Sequence, residues 1–149
     1  MGLESVGWSV LGGVAAAAVV YAITLINSVH QRSKALRALV QLISSFERVL
    51  KEDRTVLAQE MSEHGVPLDV YWEDMWSAQK RAVRNWVSAN SAAMKPEEAY
   101  YLLSTIDSQE IASRTIREAH EREDLWDTVF ERYLSSMEEI PWIPYKRTQ

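Results

Sequence analysis

Histidine is scarce in this chain, occurring only as His30, His64 and His120. Glu60 and His64 stand one helical turn apart, so a helix would offer a carboxylate and an imidazole on one face to a divalent metal. A carboxylate-bridged metal bundle needs a second pair of that kind, a Glu one turn ahead of a His, and neither other histidine has one. The two side chains read better as a solvated polar pair. His120 lies within the charged run Arg117 to Asp124, which suits a helix face in water. With no cysteine, thiolate zinc sites, iron–sulfur clusters, disulfides and cysteine nucleophiles are excluded.

Nucleophilic and phosphate chemistry fare no better. A serine elbow needs G-x-S-x-G, and phosphate cradles need G-x-x-x-x-G-K-[ST] or G-x-G-x-x-G. None is present. The 21 acids supply carboxylates, but nothing in their spacing singles out a catalytic pair. We therefore expect no enzyme activity, no cofactor and no metal site.

Two stretches invite binding chemistry. Gln79-Lys80-Arg81-Ala82-Val83-Arg84-Asn85-Trp86 interleaves bases with an aromatic and could touch nucleic acid or lipid phosphate. On a helix, however, Val83 and Trp86 fall on a buried face and the bases face water. A pI near 5.2 also speaks against nucleic acid as a partner. A solvated basic face pairing with the chain's acidic helix is the better reading. The second stretch is the tail Pro141-Trp142-Ile143-Pro144-Tyr145-Lys146-Arg147. Its prolines forbid helix, and its large apolar side chains are costly to leave in water. It either folds back onto its own domain or docks as an extended segment on a partner through Trp142, Ile143, Tyr145, Lys146 and Arg147. Insertion at a membrane interface is the weaker third reading, because Glu138 and Glu139 precede it. The six tryptophans and six tyrosines sit mostly at core spacing on amphipathic helices.

The elements that would carry these residues come from an uneven distribution. The chain has 149 residues and a net charge of −5, yet all 16 Lys and Arg lie after residue 30 and four of its five glycines lie before residue 14. Residues 6–26 carry no charge over 21 positions. As a helix they would run about 31 Å, against roughly 30 Å of bilayer hydrocarbon. A buried core helix of this length is unusual in so small a domain. A cleaved signal peptide would begin with basic residues and have a shorter apolar core; here only Glu4 is charged ahead of the stretch. An uncleaved anchor is expected. Arg32, Lys34 and Arg37 follow it, so the positive-inside rule puts the C-terminal part in the cytoplasm, with these bases at the membrane surface. Ser9, Gly13 and Ala17, with Gly12 and Ala16, form small-residue stripes that let a partner helix approach closely.

Beyond the anchor only Gly65 and four prolines punctuate the chain, and no alternating apolar run suggests a strand. A first helix should run from Ser28 to about His64, with Leu36, Ile43, Leu50 and Leu57 at sevens and Leu39 and Phe46 between them. It can continue the anchor directly. Asp53 and Glu60 break the stripe, so packing within its own domain is preferred over a coiled coil. Gly65 and Pro67 should end it. A second helix is expected from Asp69 as N-cap to about Asn90, burying Trp72, Trp76, Val83 and Trp86. A third should start near Lys95-Pro96 and reach Ile106. Asp107 and Glu110 then read as a capping box for a fourth helix that continues to about Met137, with an interruption near Arg122–Asp124. Its stripe would be Ala112, Ile116, Ala119, Trp126, Phe130, Tyr133 and Met137.

Net charge alternates by block. Residues 28–54 sum to +3, 55–79 to −5, 80–95 to +4, 96–139 to −8 and 140–149 to +2. The positive blocks suit an anionic membrane surface, and the acidic last helix should point away from it.

The expected architecture is all-α: residues 1–5 outside, a transmembrane helix over 6–27, a cytoplasmic bundle of three to four amphipathic helices over 28–139, and the tail 140–149. The expected role is a non-catalytic, single-span accessory or scaffold subunit of a complex in the inner (cytoplasmic) membrane. Its partners would be the bilayer and other membrane subunits or further copies of itself. The alternative is a membrane-tethered adaptor that recruits a soluble cytoplasmic partner through its acidic helix or its tail.

Overall fold

The structure, a computed structural model, describes residues 3–64, 68–119 and 125–148. Side chains at 3–13, 52–64, 68–72, 117, 119 and 125–127 lie outside that description. Four α-helices follow in order, α1 (Leu3–His64), α2 (Leu68–Ala89), α3 (Pro96–Ala119) and α4 (Leu125–Glu138), with a short 3-10 turn at Ser91–Ala93. The described residues contain no strand. The described architecture is all-helical, in keeping with the absence of alternating apolar patterns.

α1 is a single helix of 62 residues. The apolar N-terminal segment and the first bundle helix are therefore continuous, since no glycine or proline interrupts the ladder between Val14 and His64. By length and composition it is the one described helix long and apolar enough to cross a membrane, and none of its most apolar window is buried within the chain. Its lower half is amphipathic: Ala35, Leu39, Ile43 and Leu50 are buried, while Leu36 and Phe46 are half-buried. The stripe thus serves packing within the domain. Leu57 and the Glu60/His64 pair lie outside the described side chains, and Gly65 and Pro67 lie outside the described residues.

α2 runs antiparallel to α1. Trp86 donates its indole Nε1–H to the Ala35 carbonyl at 3.0 Å, and Trp76, more than two turns earlier on α2, packs against Phe46, three turns later on α1, at 6.2 Å between ring centroids. Its buried residues Met75, Trp76, Gln79, Val83 and Trp86 make the expected face. The helix starts at Leu68, one residue before Asp69.

The start of α3 has a local chemical cause. Lys95 precedes Pro96, whose missing N–H is an orphan at a first helical position anyway. Glu98, three residues after Lys95, accepts the Lys95 backbone N–H at 3.0 Å, the carboxylate half of a capping box. The expected second box at Asp107 does not form: α3 continues unbroken to Ala119. Glu110, instead of reaching back to a cap, takes Lys80 of α2 at 2.5 Å and approaches Arg114 at 3.7 Å. A capping pattern in mid-helix is overruled when its glutamate has a cation on the neighbouring helix. Ala112 and Ile116 consequently belong to α3, while buried Phe130, Tyr133 and Met137 belong to α4. The expected interruption near Arg122–Asp124 falls within 120–124, outside the described residues.

The core is one cluster shared by all four helices and the tail. At its centre Phe46, Trp76 and Tyr133 form an aromatic triangle, with Tyr133 edge-on to both others at 5.3 and 5.5 Å. Such pairs contribute about 0.5–1.5 kcal/mol each beyond their buried area. Tyr133 is fully buried, and its hydroxyl accepts from the Gln79 amide at 2.5 Å, which satisfies two polar groups that would otherwise be stranded.

Candidate functional site

Three surfaces carry the residues that the sequence marks for function. The first is the upper part of α1, where Val14, Val20, Tyr21 and Ile26 are each 64–68% exposed and Val29 is 65% exposed. None of the described residues folds over them. Thr24, in the middle of them, returns its hydroxyl to the Val20 carbonyl at 2.8 Å, so it adds no unmet hydrogen bond to an apolar surface. Ala16 and Ala17 of the small-residue stripes are exposed here as well. Ser9, Gly12 and Gly13 are in α1, outside the described side chains.

The second surface is the end of the bundle nearest that segment. Arg32, Lys34 and Arg37 follow within three turns of α1, but they do different things. Arg32 forms a two-pronged pair with Glu98, Nη2 to Oε1 at 2.6 Å and Nη1 to Oε2 at 2.9 Å, and also donates to the Ala93 carbonyl at 3.2 Å. It thereby latches the α2–α3 corner to α1. The Arg32 guanidinium, with the Lys95 N–H, holds the Glu98 carboxyl well below its ordinary range, at about 2. Lys34 and Arg37 stay exposed.

The third surface is the tail, which folds back onto its own domain. Pro141 occupies the second position of a turn closed by the Ile143 N–H to the Ile140 carbonyl at 3.2 Å, the place where a fixed φ is an advantage. The turn sends Ile140, Ile143 and Tyr145 into the core, where they are 1%, 4% and 3% exposed. Tyr145 donates its hydroxyl to Glu47 at 2.6 Å. Glu47 also accepts from Thr148 at 3.0 Å and pairs with Lys51 at 2.7 Å, and Lys51 donates in turn to the Thr148 carbonyl at 2.8 Å. Burial pushes the Glu47 carboxyl up; hydrogen bonds from Lys51, Tyr145 and Thr148 outweigh it and hold the group below its ordinary range. Burial, followed by the hydrogen bond to Glu47, pushes the Tyr145 hydroxyl up. Arg147 is held by α4: its guanidinium pairs with Glu131, donates to Ser135 Oγ at 2.5 Å and lies 3.1 Å from Glu138. Of the five tail residues named for partner binding, only Lys146 is exposed, and Trp142 and Arg147 are half-buried.

The remaining candidates are placed as follows. In the 79–86 stretch Val83 and Trp86 are buried, Lys80 pairs with Glu110 of α3, and Arg81 and Arg84 face outward. His30 is exposed, His64 lies outside the described side chains and His120 outside the described residues. Among the described residues, no group of three or more His, Cys, Asp or Glu is placed to hold a metal ion. Sequence reasoning missed Glu47, Glu98, Gln79 and Tyr133 as structural polar centres. Glu47 had left a readable sign, since it is an acid in register with Ile43 and Leu50 on an apolar face.

Two hollows line the α1–α2 seam. One, of about 390 Å³, lies between Gln31, Lys34 and Ala38 of α1 and the corner at Asn90, Ala92 and Ala93. The other, of about 570 Å³, is an open apolar groove beside Leu42, Phe46, Val49, Met75 and Ala82. Comparison of the chain with protein-family models, curated proteins and solved structures finds no match.

Proposed function

We propose that this chain is a non-catalytic, single-span accessory or scaffold subunit of a membrane complex. The observation that carries the reading is the continuity of α1: one helix presents an uncovered apolar surface from Val14 to Val29 and, less than two turns on, one face of a packed core. A helix of that kind couples whatever its upper part contacts to the position of the bundle, without a flexible joint. The span packs on partner helices, or on a second copy, through Ala16, Ala17 and the stripes that precede them. The bases that follow it orient the chain with the bundle in the cytoplasm.

The test is direct. The chain should stay in the membrane fraction through an alkaline carbonate wash, and a phosphatase fused after Gln149 should be inactive in the periplasm. A photo-crosslinker at Ala16 or Ala17 should give a discrete protein adduct. Release by carbonate sinks the span, and lipid adducts alone sink the subunit role.

A tethered adaptor is the second reading. The tail is largely committed to its own core, so the observation in its favour is the outer face of α3, where Tyr100, Tyr101 and Ile111 are 75%, 51% and 66% exposed. Loss of a soluble interactor on Tyr100→Ala with Ile111→Ser, membrane partners being retained, would single it out.

A further inference from the structure

The hollow at the top of the bundle lies at a particular depth. Exposed large apolar residues run down α1 to Val29 and do not resume until Val49. If Val29 marks the hydrocarbon edge, Gln31 lies about 3 Å and Lys34 about 8 Å beyond it at the helical rise. The headgroup layer of one leaflet is roughly 5–8 Å thick. The hollow of about 390 Å³ opens at that level, with Gln31 and Lys34 on one wall and Asn90, Ala92 and Ala93 on the other.

Its chemistry suits a phosphodiester. The corner's own carboxylate, Glu98, is neutralised by Arg32, so Lys34 is left with no ion-pair partner among the described residues. Lys95 sits on the same corner and offsets exposed Glu97. Gln31 contributes an amide, and Asn90 is fixed by donating Nδ2 to the Trp86 carbonyl at 2.8 Å. The small alanine walls leave room for a headgroup. The Arg32 latch holds both walls together, so the hollow exists before anything enters it.

We propose that this hollow seats the headgroup of an anionic phospholipid, with Lys34 as the charge that selects it and Gln31 and Asn90 as polar walls. The proposal rests on the membrane-spanning reading of α1. Arg32, which sequence position alone puts at the lipid surface, is a positioning residue here. It builds the seat and does not touch the lipid.

The absence of cysteine makes a single reporter straightforward: the full chain with Ser91→Cys, carrying an environment-sensitive fluorophore, in phosphatidylcholine vesicles with or without phosphatidylglycerol. Phosphatidylglycerol should shift the emission to the blue and should be enriched among lipids that remain bound on detergent extraction. Lys34→Gln should lower that enrichment about fivefold, the weight of one basic residue at an anionic surface. Lys146→Gln, in the tail, should leave it unchanged. Equal responses in both vesicles, or an unchanged Lys34→Gln variant, overturn the seat while carbonate resistance still upholds the span. Loss of the response to added inorganic phosphate assigns the hollow to a free anion and overturns the lipid. A chain washed off the vesicles by carbonate overturns the span itself.

Discussion

The two halves of α1 are one helix built for two surroundings. From Val14 to Val29 eight large apolar side chains are exposed, and no carboxylate, lysine or arginine is present. From Ala35 to Leu50 the buried apolar residues share one face, and that face includes a carboxylate, Glu47, only 1% exposed. Burying a large apolar side chain is worth about 1.5–3 kcal/mol, so the upper half leaves on the order of 10 kcal/mol unclaimed by its own fold. The lower half claims its share and can also carry a buried charge, because the tail supplies hydrogen bonds to it. Uniform apolarity suits a surrounding without polar partners. A mixed face works only where the rest of the chain is folded to meet it.

The strongest way to break that contrast is to remove what the lower half depends on. Ending the chain after Glu139 deletes Ile140, Ile143 and Tyr145 from the core and leaves Glu47 with Lys51 alone. Each buried side chain lost costs about 2–5 kcal/mol, so the total approaches the 5–15 kcal/mol that holds a domain of this size together. Hydrogen exchange on the truncated chain in detergent should show α2 to α4 unprotected and the Val14–Val29 part of α1 unchanged. Equal protection of the bundle with and without the tail would mean that the tail is an appendage.

The Arg32–Glu98 latch sets the corner more modestly, because the Arg32 side chain is 34% exposed and solvent screens the pair. Glu98→Gln should cost about 1 kcal/mol. The pH dependence is the sharper readout. The folded carboxyl, near 2, lies below its ordinary 4.5, so its stabilisation is complete above about 4.5 and drains away as the pH falls toward 2. Glu47, also held low, acts with the same sign. Melts across this window should be flatter for Glu98→Gln than for the parent, with Glu47 contributing to the slope that remains. Identical slopes would show that the latch is not formed in solution.

The apolar run over 6–26, the faces of α1 and α2, and the Lys95-Pro96 start of α3 were legible in the sequence because each rests on neighbours within a turn or two. Where the fold turned on distant partners, local signals failed. The Asp107 box lost its Glu110 to Lys80, which lies 30 residues before that glutamate in the chain. The tail was undecided because its fate depends on Glu47, and the bond joining Tyr145 to Glu47 spans 98 positions. Arg32 looked like a member of a surface cluster until Glu98 came to meet it, from 66 positions away. The candidate surfaces were therefore found in outline, but which of their residues remain free was set by tertiary pairing.

Trp86→Phe probes the lower half with a smaller change. It removes the hydrogen bond to Ala35 and should cost about 1 kcal/mol. A null result would mean that the α1–α2 seam is held by apolar contact alone.

Val20→Asp should have the least effect on the bundle and is the cleanest discriminator of the two halves. Val20 is 64% exposed, and the nearest core residue on its own helix is Ala35, about four turns on. In detergent the bundle's melt should move by less than about 0.5 kcal/mol, the range of a surface change. In a membrane the same carboxylate costs about 2.5–3.5 kcal/mol at the centre of a span, and the chain should fall from the carbonate-resistant fraction. A large loss of bundle stability in detergent would show that the upper half is packed against the protein after all. Retention in the membrane at full yield would show that Val20 does not face lipid. Only a helix divided between two surroundings gives an unchanged melt together with lost retention.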